Sequence, residues 1–217
     1  MKKCIFALAA WLVVMSMTAQ EKIKVACVGN SITYGHGIKN RDHDAYPAVL
    51  GRLLGNEYEV KNFGISARTL MNSGDNPYMK EQIYRDALAY EPDIVTIKLG
   101  TNDSKPFNWK NNADFKNDFA QLVNSFRQLP SHPKIFICLP IPGDNEGWGI
   151  NDSTIVAGII PAIKKMSKKM KLPVIDLHTT FKPYLNLLPD GVHPNVDGSA
   201  IIAYEISKAI IESKGER

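Results

Sequence analysis

Cysteine is scarce in this sequence, with three among 217 residues. Cys4 lies in an N-terminal apolar segment, whereas Cys27 and Cys138 lie in apolar, strand-like runs without metal-ligand spacing. A chain of this length can bury a core without disulfide support. We therefore interpret Cys27 and Cys138 as buried free thiols, and a disulfide between them is the alternative.

Repeats, low-complexity tracts and Gly/Ser-rich linkers are also missing, so a second globular domain is not expected. No nucleic-acid-binding motif is present, and the formal net charge is only +4. The basic run "KKMSKKMK" at 164–171 is typical of the solvated face of a helix, a basic binding patch being the less favoured reading. These absences argue against a nucleic-acid partner.

The one long apolar run stands at the N-terminus. "MKK" is basic, "CIFALAAWLVVM" is apolar and "SMTAQ" is small and polar, which is the pattern of a secretory signal peptide. The apolar part is short for a membrane span. The sequence thus predicts a signal peptide at 1–20, a single globular domain at 21–217 and export to the periplasm or the medium. An uncleaved membrane anchor is the alternative, but stable membrane association is not expected.

Strand-like and helix-like segments alternate along the rest of the chain. Apolar, β-branched runs occupy 23–29, 58–64, 93–100, 134–140 and 173–178. Amphipathic stretches at 45–55, 78–90, 112–129, 153–170 and 197–213 predict helices, with Pro161 kinking or splitting one and Asp197 capping the last. Such alternation predicts an α/β fold with a mainly parallel five-stranded sheet between helical layers.

Polar residues follow the predicted strands at the edge where open α/β sheets bind ligands. Ser31 follows the first strand, Gly64 ends the second, Asn102 follows the third, and Asp190 and His193 stand in a loop after the fifth. Taken alone, Ser31 can be an ordinary helix cap, and each of the other residues can belong to an ordinary turn. Together they supply every group that acyl transfer requires.

In this reading Ser31 is the nucleophile and His193 is its base. Asp190, three residues earlier in a loop, orients the imidazole. The backbone N–H groups of Ser31 and Gly64 and the side-chain amide of Asn102 form the oxyanion hole. No metal or cofactor is needed.

Four short motifs resemble the blocks of the SGNH hydrolases, also called GDSL-like lipases or acylhydrolases. They are "GNSIT", "NFGIS", "GTND" and "DGVHP", with Asn30 at the place of the usual Asp. The resemblance implies a flavodoxin-like three-layer α/β/α sandwich and metal-independent ester hydrolysis. It also assigns the nucleophile to Ser31, the rest of the triad to Asp190 and His193, and oxyanion donors to Gly64 and Asn102.

The segments "NRDHDAYPAVLGRLLGNEYEVKNFGISARTL" and "KLGTNDSKPFNW" resemble secreted bacterial carbohydrate and sialate O-acetylesterases. The sequence thus predicts a serine esterase that acts on small acyl esters, O-acetyl groups on a small molecule or glycan above all. A lysophospholipase or thioesterase and a non-catalytic glycan-binding module are the alternatives. The oligomeric state is left open.

Several other side chains are candidates for lesser roles. Trp109, Trp148, Tyr78 and Phe107 can contact substrate or simply pack the loops. His36, Asp42, His43 and Asp44 lack a recognised metal-ligand spacing, which favours a solvated loop over a metal site. His178 is expected to be structural, and Lys98 is expected to pair with a buried carboxylate.

Overall fold

A computed structural model describes residues 21–110 and 112–215. The predicted signal peptide lies outside the described residues. Across the part that is described, no helix is long and apolar enough to cross a bilayer.

The described chain forms a five-stranded parallel sheet in the order β2-β1-β3-β4-β5. The strands are β1 (Ile23–Gly29), β2 (Tyr58–Gly64), β3 (Ile94–Lys98), β4 (Lys134–Cys138) and β5 (Val174–Ile175). The first two match the predicted bounds. The fifth is shorter than predicted because the Asp176 side chain accepts the Thr179 N–H at 3.0 Å and starts a helix.

Helices connect the strands and cover both faces of the sheet. They are α1 (Ser31–Tyr34), α2 (Arg41–Asp44), α3 (Tyr46–Leu54), α4 (Gln82–Ala89), α5 (Pro106–Trp109), α6 (Phe115–Arg127), α7 (Asp152–Thr154), α8 (Ile160–Lys169), α9 (Leu177–Phe181) and α10 (Val196–Glu212). Short 3₁₀ helices span Tyr78–Lys80, Asn102–Ser104, Asn112–Asp114, Glu146–Trp148 and Lys182–Leu187, and a π-helix spans Ile155–Ile159.

Two predictions about helices, at Pro161 and at Asp197, can be compared with the structure. The helix predicted around Pro161 is not split, because residues 152–169 are helical without a break; instead a π-helical turn precedes Pro161, which lies in the first turn of α8. The prediction that Asp197 caps α10 is wrong. Asn195 is the cap, since its Oδ1 accepts the Gly198 N–H at 2.9 Å, and Asp197 lies inside the first turn.

Side-chain alternation along the strands divides the core into two apolar layers. Val28, Val95 and Ile137 face the layer closed by α4, α6 and α8. Cys27 and Cys138 face the opposite layer, closed by α3 and α10. Both thiols are buried and unpaired, as predicted, and burial raises the pKa of each to about 12. The architecture is therefore the predicted flavodoxin-like α/β/α sandwich.

The strand order reverses between β1 and β3, and such a switch point opens a crevice at the carboxyl ends of the strands. Gly29 at the end of β1 is in register with Lys98 at the end of β3 and with Gly64 at the end of β2. Residues that follow these three strands therefore meet at one edge of the sheet.

Lys98 is completely buried at the end of β3, and its amine makes no hydrogen bond to any described residue. The prediction that it pairs with a buried carboxylate is wrong, because no carboxylate of the described residues lies within ion-pair distance of its amine. Burial disfavours the ammonium form and lowers the pKa of Lys98 to about 7.

We expect Lys98→Met to raise the free energy of unfolding at pH 7 by about 1–3 kcal/mol, because a poorly solvated amine becomes an apolar side chain. The pKa of Lys98 falls from 10.5 to about 7 on folding. The cost of burying it is thus fully present below pH 7 and disappears as the pH rises toward 10.5.

Urea unfolding of both proteins at pH 6, 8 and 9.5 measures this difference, which should shrink as the pH rises. Lys116→Met, at an exposed position of α6, is the control and should change stability by about 0.5 kcal/mol or less. A Lys98→Met protein less stable than the wild type at pH 6 contradicts the prediction.

Candidate active site

Ser31 stands at the first turn after β1. Asn30 stops the strand and caps α1, because its Oδ1 accepts the Ile32 N–H at 3.1 Å. Gly35 ends the same helix with a left-handed φ of 86°. The result is a single tight helical turn that carries Ser31 at the edge of the sheet, with 8% of its surface exposed.

His193 joins Ser31 to Asp190 through two hydrogen bonds. The Ser31 Oγ lies 2.8 Å from His193 Nε2, and His193 Nδ1 lies 2.8 Å from Asp190 Oδ2. The other carboxylate oxygen, Oδ1, accepts the backbone N–H groups of Val192 at 2.9 Å and His193 at 2.7 Å. Asp190 therefore fixes both the backbone and the ring of His193, and the structure brings the three predicted residues together.

The pKa values of this chain follow from burial and hydrogen bonding. Burial raises the pKa of Asp190, but the hydrogen bonds from the backbone and ring of His193 outweigh it and hold that pKa below 3.8. Burial lowers the pKa of His193 below 6.5, against the raising effect of Asp190. The neighbouring His36 and Lys98 lower the pKa of His193 further. An imidazole with this pKa is neutral at pH 7 and can accept a proton.

The three predicted oxyanion donors differ in their position relative to the cavity and in their hydrogen bonds. Asn102 lines the cavity beside Ser31, and its Nδ2 uses one hydrogen to bond Arg68 O at 3.1 Å, which leaves its second hydrogen for another acceptor. The Ser31 N–H makes no hydrogen bond to a described residue. Gly64 does not line the cavity, and its N–H already donates to Asn62 Oδ1 at 2.9 Å. The structure thus contradicts the prediction for Gly64.

Ala67 is a cavity residue that the sequence reading missed. It lines the cavity three residues after β2, with φ at 67°, a left-handed conformation that is rare for alanine. Its N–H makes no hydrogen bond to any described residue. Nothing in the letters "ISART" signals this conformation, because alanine gives no hint of a positive φ.

The cavity at this edge holds about 320 Å³. Ser31, Asn102, Trp148 and His193 line it, as the sequence reading placed them. Six further lining residues were not assigned to a catalytic site from the sequence: His36, Ser66, Ala67, Lys105, Ile150 and Val192. They come from loops after β1, β2, β3 and β4 and from the turn before His193.

Of the four aromatic residues considered for substrate contact, one lines the cavity and three do not. Trp148 lines the cavity with 45% of its surface exposed. Tyr78 is completely buried and its hydroxyl donates to Phe63 O at 2.7 Å, so the prediction of substrate contact is wrong for it. The prediction is also wrong for Trp109, which packs edge-on to Phe115 and lines a different cavity. Phe107 is exposed but does not line the cavity.

The two histidines that follow the first motif, His36 and His43, have different surroundings. His43 bonds Asp44 at 2.7 Å on the exposed surface, as expected of a solvated loop. His36 instead reaches the cavity, where donor atoms of His36, Asp190 and His193 all lie within 4.8 Å of one another. These three could hold a divalent ion only if His193 gave up one of its two existing hydrogen bonds.

Two buried groups support the loops around the site. Asp103 accepts the backbone N–H groups of Leu70 at 2.9 Å and Met71 at 2.8 Å, which ties the loop after β2 to the loop after β3. Burial raises the pKa of Asp103 to about 6, against these hydrogen bonds. His178 lies in α9 and bonds Asp152 Oδ1 at 3.2 Å, which agrees with the structural role expected of it.

An open parallel sheet with Ser, His and Asp hydrogen-bonded in series at its switch point is the arrangement of a serine hydrolase. The chain belongs to the GDSL-like lipase/acylhydrolase family, whose model matches residues 27–201. The predicted resemblance is thus confirmed.

Two relatives place the chain more closely. It is 43% identical to an acetylxylan esterase of Xylanibacter ruminicola over 94% of the chain, and 29% identical to a multidomain esterase of Ruminococcus flavefaciens over 50% of it. The matched region spans only 46% of the first relative and 14% of the second.

Solved structures share the fold. A carbohydrate acetylesterase from Sinorhizobium meliloti superimposes with a TM-score of 0.70 at 19% identity, covering 88% of this chain and 99% of its own. A lipase/acylhydrolase from Enterococcus faecalis gives 0.70 at 21% identity, with 86% and 94% coverage.

We expect Gly64→Ala to lower the free energy of unfolding by about 1–3 kcal/mol or more, through overpacking at the end of β2. A Cβ at Gly64 would lie 2.6 Å from the Thr33 carbonyl carbon and would overlap the Tyr34 backbone nitrogen. Backbone atoms of α1 cannot move aside as a flexible side chain can.

Thermal unfolding measures the loss. Gly51→Ala in α3 is the matched control, since its nearest neighbour is a Val60 side-chain atom at 3.6 Å. That variant should be as stable as the wild type or slightly more stable. Equal melting temperatures for Gly64→Ala and the wild type would show that the approach of α1 to β2 is not tight.

Proposed function

We propose that this chain is a serine esterase that hydrolyses small acyl esters, O-acetyl esters of carbohydrates in particular. The observation that carries the proposal is the continuous hydrogen-bonded series Ser31–His193–Asp190 beside an open cavity. A hydroxyl needs a base at this distance to attack an ester at neutral pH.

In the proposed acylation step, His193 Nε2 takes the Ser31 proton as Oγ attacks the ester carbonyl. The pKa of Asp190 is held below its usual value, and its carboxylate stabilises the imidazolium that forms. His193 then gives the proton to the departing alcohol oxygen, and the acyl group stays on Ser31.

In the proposed deacylation step, water takes the place of the alcohol. His193 removes a proton from this water, which attacks the acyl-Ser31 carbonyl, and the proton then returns to the Ser31 oxygen. The products are the carboxylic acid and free enzyme. Every proton transfer in this scheme uses the same imidazole.

For the oxyanion we propose the Ser31 N–H, the Asn102 side chain and the Ala67 N–H, with Ala67 in place of Gly64. Two observations support the assignment of Ala67. It lines the cavity, and its N–H makes no hydrogen bond to a described residue. Its left-handed φ of 67° is the kind of strained conformation that accumulates at functional sites.

The carbohydrate part of the proposal draws on two supports. The Xylanibacter relative with 43% identity is an acetylxylan esterase, although the chain spans only 46% of it. The half-exposed Trp148 in the cavity wall offers an apolar face on which a sugar ring can stack. Export is proposed as well, from the N-terminal signal pattern, because acetylated polysaccharides lie outside the cell.

We expect Ser31→Ala to lose all measurable turnover of phenyl acetate and of acetylated xylan, because no other nucleophile among the described residues is hydrogen-bonded to His193. Acetate release, measured on both substrates, is the assay. An unchanged melting temperature shows that the variant is folded, and acetate release by a folded Ser31→Ala protein at the wild-type rate refutes the assignment.

Two further measurements separate the alternatives. Labelling of Ser31 by a fluorophosphonate distinguishes an enzyme from a glycan-binding module without catalysis, which would stay unlabelled. Comparison of acetyl with octanoyl esters tests the lysophospholipase or thioesterase reading. We expect acetyl esters to react faster, because a cavity of about 320 Å³ must also hold the alcohol.

The pH dependence follows from His193. Its pKa is lowered below 6.5, so kcat/KM should hold down to about pH 6.5 and fall only below it. Asp190 raises the pKa of His193. Asp190→Asn should therefore move the acid limb to still lower pH while reducing kcat by roughly 10²–10⁴-fold. A limb that moves to higher pH contradicts this assignment of charges.

A further inference from the structure

Two rings flank the imidazole of His193 at the mouth of the cavity. The His36 ring centroid lies 4.4 Å from that of His193, at an interplanar angle of 46°. The Trp148 ring lies 5.2 Å from His193 and 6.3 Å from His36, edge-on to both. We call His36 and Trp148 the ring pair.

The proposed chemistry places the ring pair beside the leaving alcohol. His193 can protonate the departing oxygen only within hydrogen-bond distance of about 2.6–3.2 Å. The alcohol must therefore lie next to His193, on the side that the ring pair occupies. The proposed oxyanion donors, Asn102 and Ala67, supply another part of the cavity wall.

The backbone of His36 is tied to that of the nucleophile. Its backbone N–H and that of Gly35 both donate to the carbonyl oxygen of Ser31, at 2.9 and 3.0 Å. The His36 side chain is exposed and makes no hydrogen bond within the described residues. The backbone that carries this ring is thus held beside Ser31, and both ring nitrogens are free of hydrogen bonds within the described residues.

The chemistry of the ring pair matches a cyclic polyol. One face of a pyranose ring is lined with C–H groups and can lie on the indole of Trp148. Its hydroxyls need hydrogen-bond partners, and an imidazole offers one donor and one acceptor. A plain cyclohexyl ring would satisfy Trp148 but not His36.

We propose that His36 is a specificity-determining residue, which hydrogen-bonds the free hydroxyl next to the esterified oxygen of a pyranose or similar cyclic polyol. This inference rests on the proposed esterase function. It assigns recognition of the leaving alcohol to a residue outside the triad and outside the oxyanion hole.

Two esters that differ by one hydroxyl test the proposal. They are trans-cyclohexane-1,2-diol monoacetate, in which acyl migration regenerates the same compound, and cyclohexyl acetate. The wild type should hydrolyse the diol ester with kcat/KM about three- to tenfold higher, as one added hydrogen bond implies. His36→Phe, which keeps a ring of similar shape without polar atoms, should abolish this preference. His36→Gln, which keeps a donor and an acceptor, should retain part of it.

His43→Phe is the matched control, because His43 is an exposed imidazole of the same segment that bonds Asp44 and does not line the cavity. It should retain the full preference. The proposal is overturned if the wild type shows no preference, or if His36→Phe keeps it. It is also overturned if His36→Phe slows both esters by the same factor, since that marks a structural role.

These results are distinct from failure of the esterase assignment. If neither ester nor phenyl acetate shows Ser31-dependent hydrolysis, the proposed function fails and takes this inference with it. If hydrolysis depends on Ser31 but the hydroxyl preference does not depend on His36, only this inference fails.

Discussion

The close approach of α1 to the ends of β1 and β2 is the constraint on which the site depends. Gly29 and Gly64 are register partners, and the turn that carries Ser31 packs into the space that their missing side chains leave. A Cβ at Gly29 would overlap the Thr33 side chain and lie 2.8 Å from Lys98 O. Without this approach, Ser31 would stand farther from the sheet and from the loops that surround it.

Once Ser31 is placed, the remaining loops hold one another at the same edge. The Asp144 N–H donates to Gly191 O at 2.9 Å, and Asn145 Nδ2 donates to Asp190 O at 2.9 Å. These bonds attach the turn before His193 to the loop that carries Trp148. Backbone contacts of this kind leave little freedom at the ring of His193, as a preorganised site requires.

Buried polar groups at this edge are costly, and their environments differ. Hydrogen bonds from two backbone N–H groups of a neighbouring loop offset the cost of burying Asp103, and these bonds hold the loops after β2 and β3 together. Lys98 has no such compensation among the described residues and works against stability near neutral pH. Its proximity also lowers the pKa of His193 slightly, which keeps the imidazole in the form able to accept a proton.

The sequence by itself determined the sheet, the family and the three hydrogen-bonded side chains. Strand patterns are local, and residues that follow parallel strands meet at one edge whatever the helices between them do. The roles predicted from the sequence for Gly64, Tyr78, Trp109 and Lys98 were wrong. Neither His36 nor Ala67 was assigned to the catalytic site from the sequence. Those assignments depend on backbone torsion, on the direction of a side chain and on what packs against it, as when Asn62 occupies the Gly64 N–H. Such features follow from contacts between distant segments, and only the tertiary structure decided them.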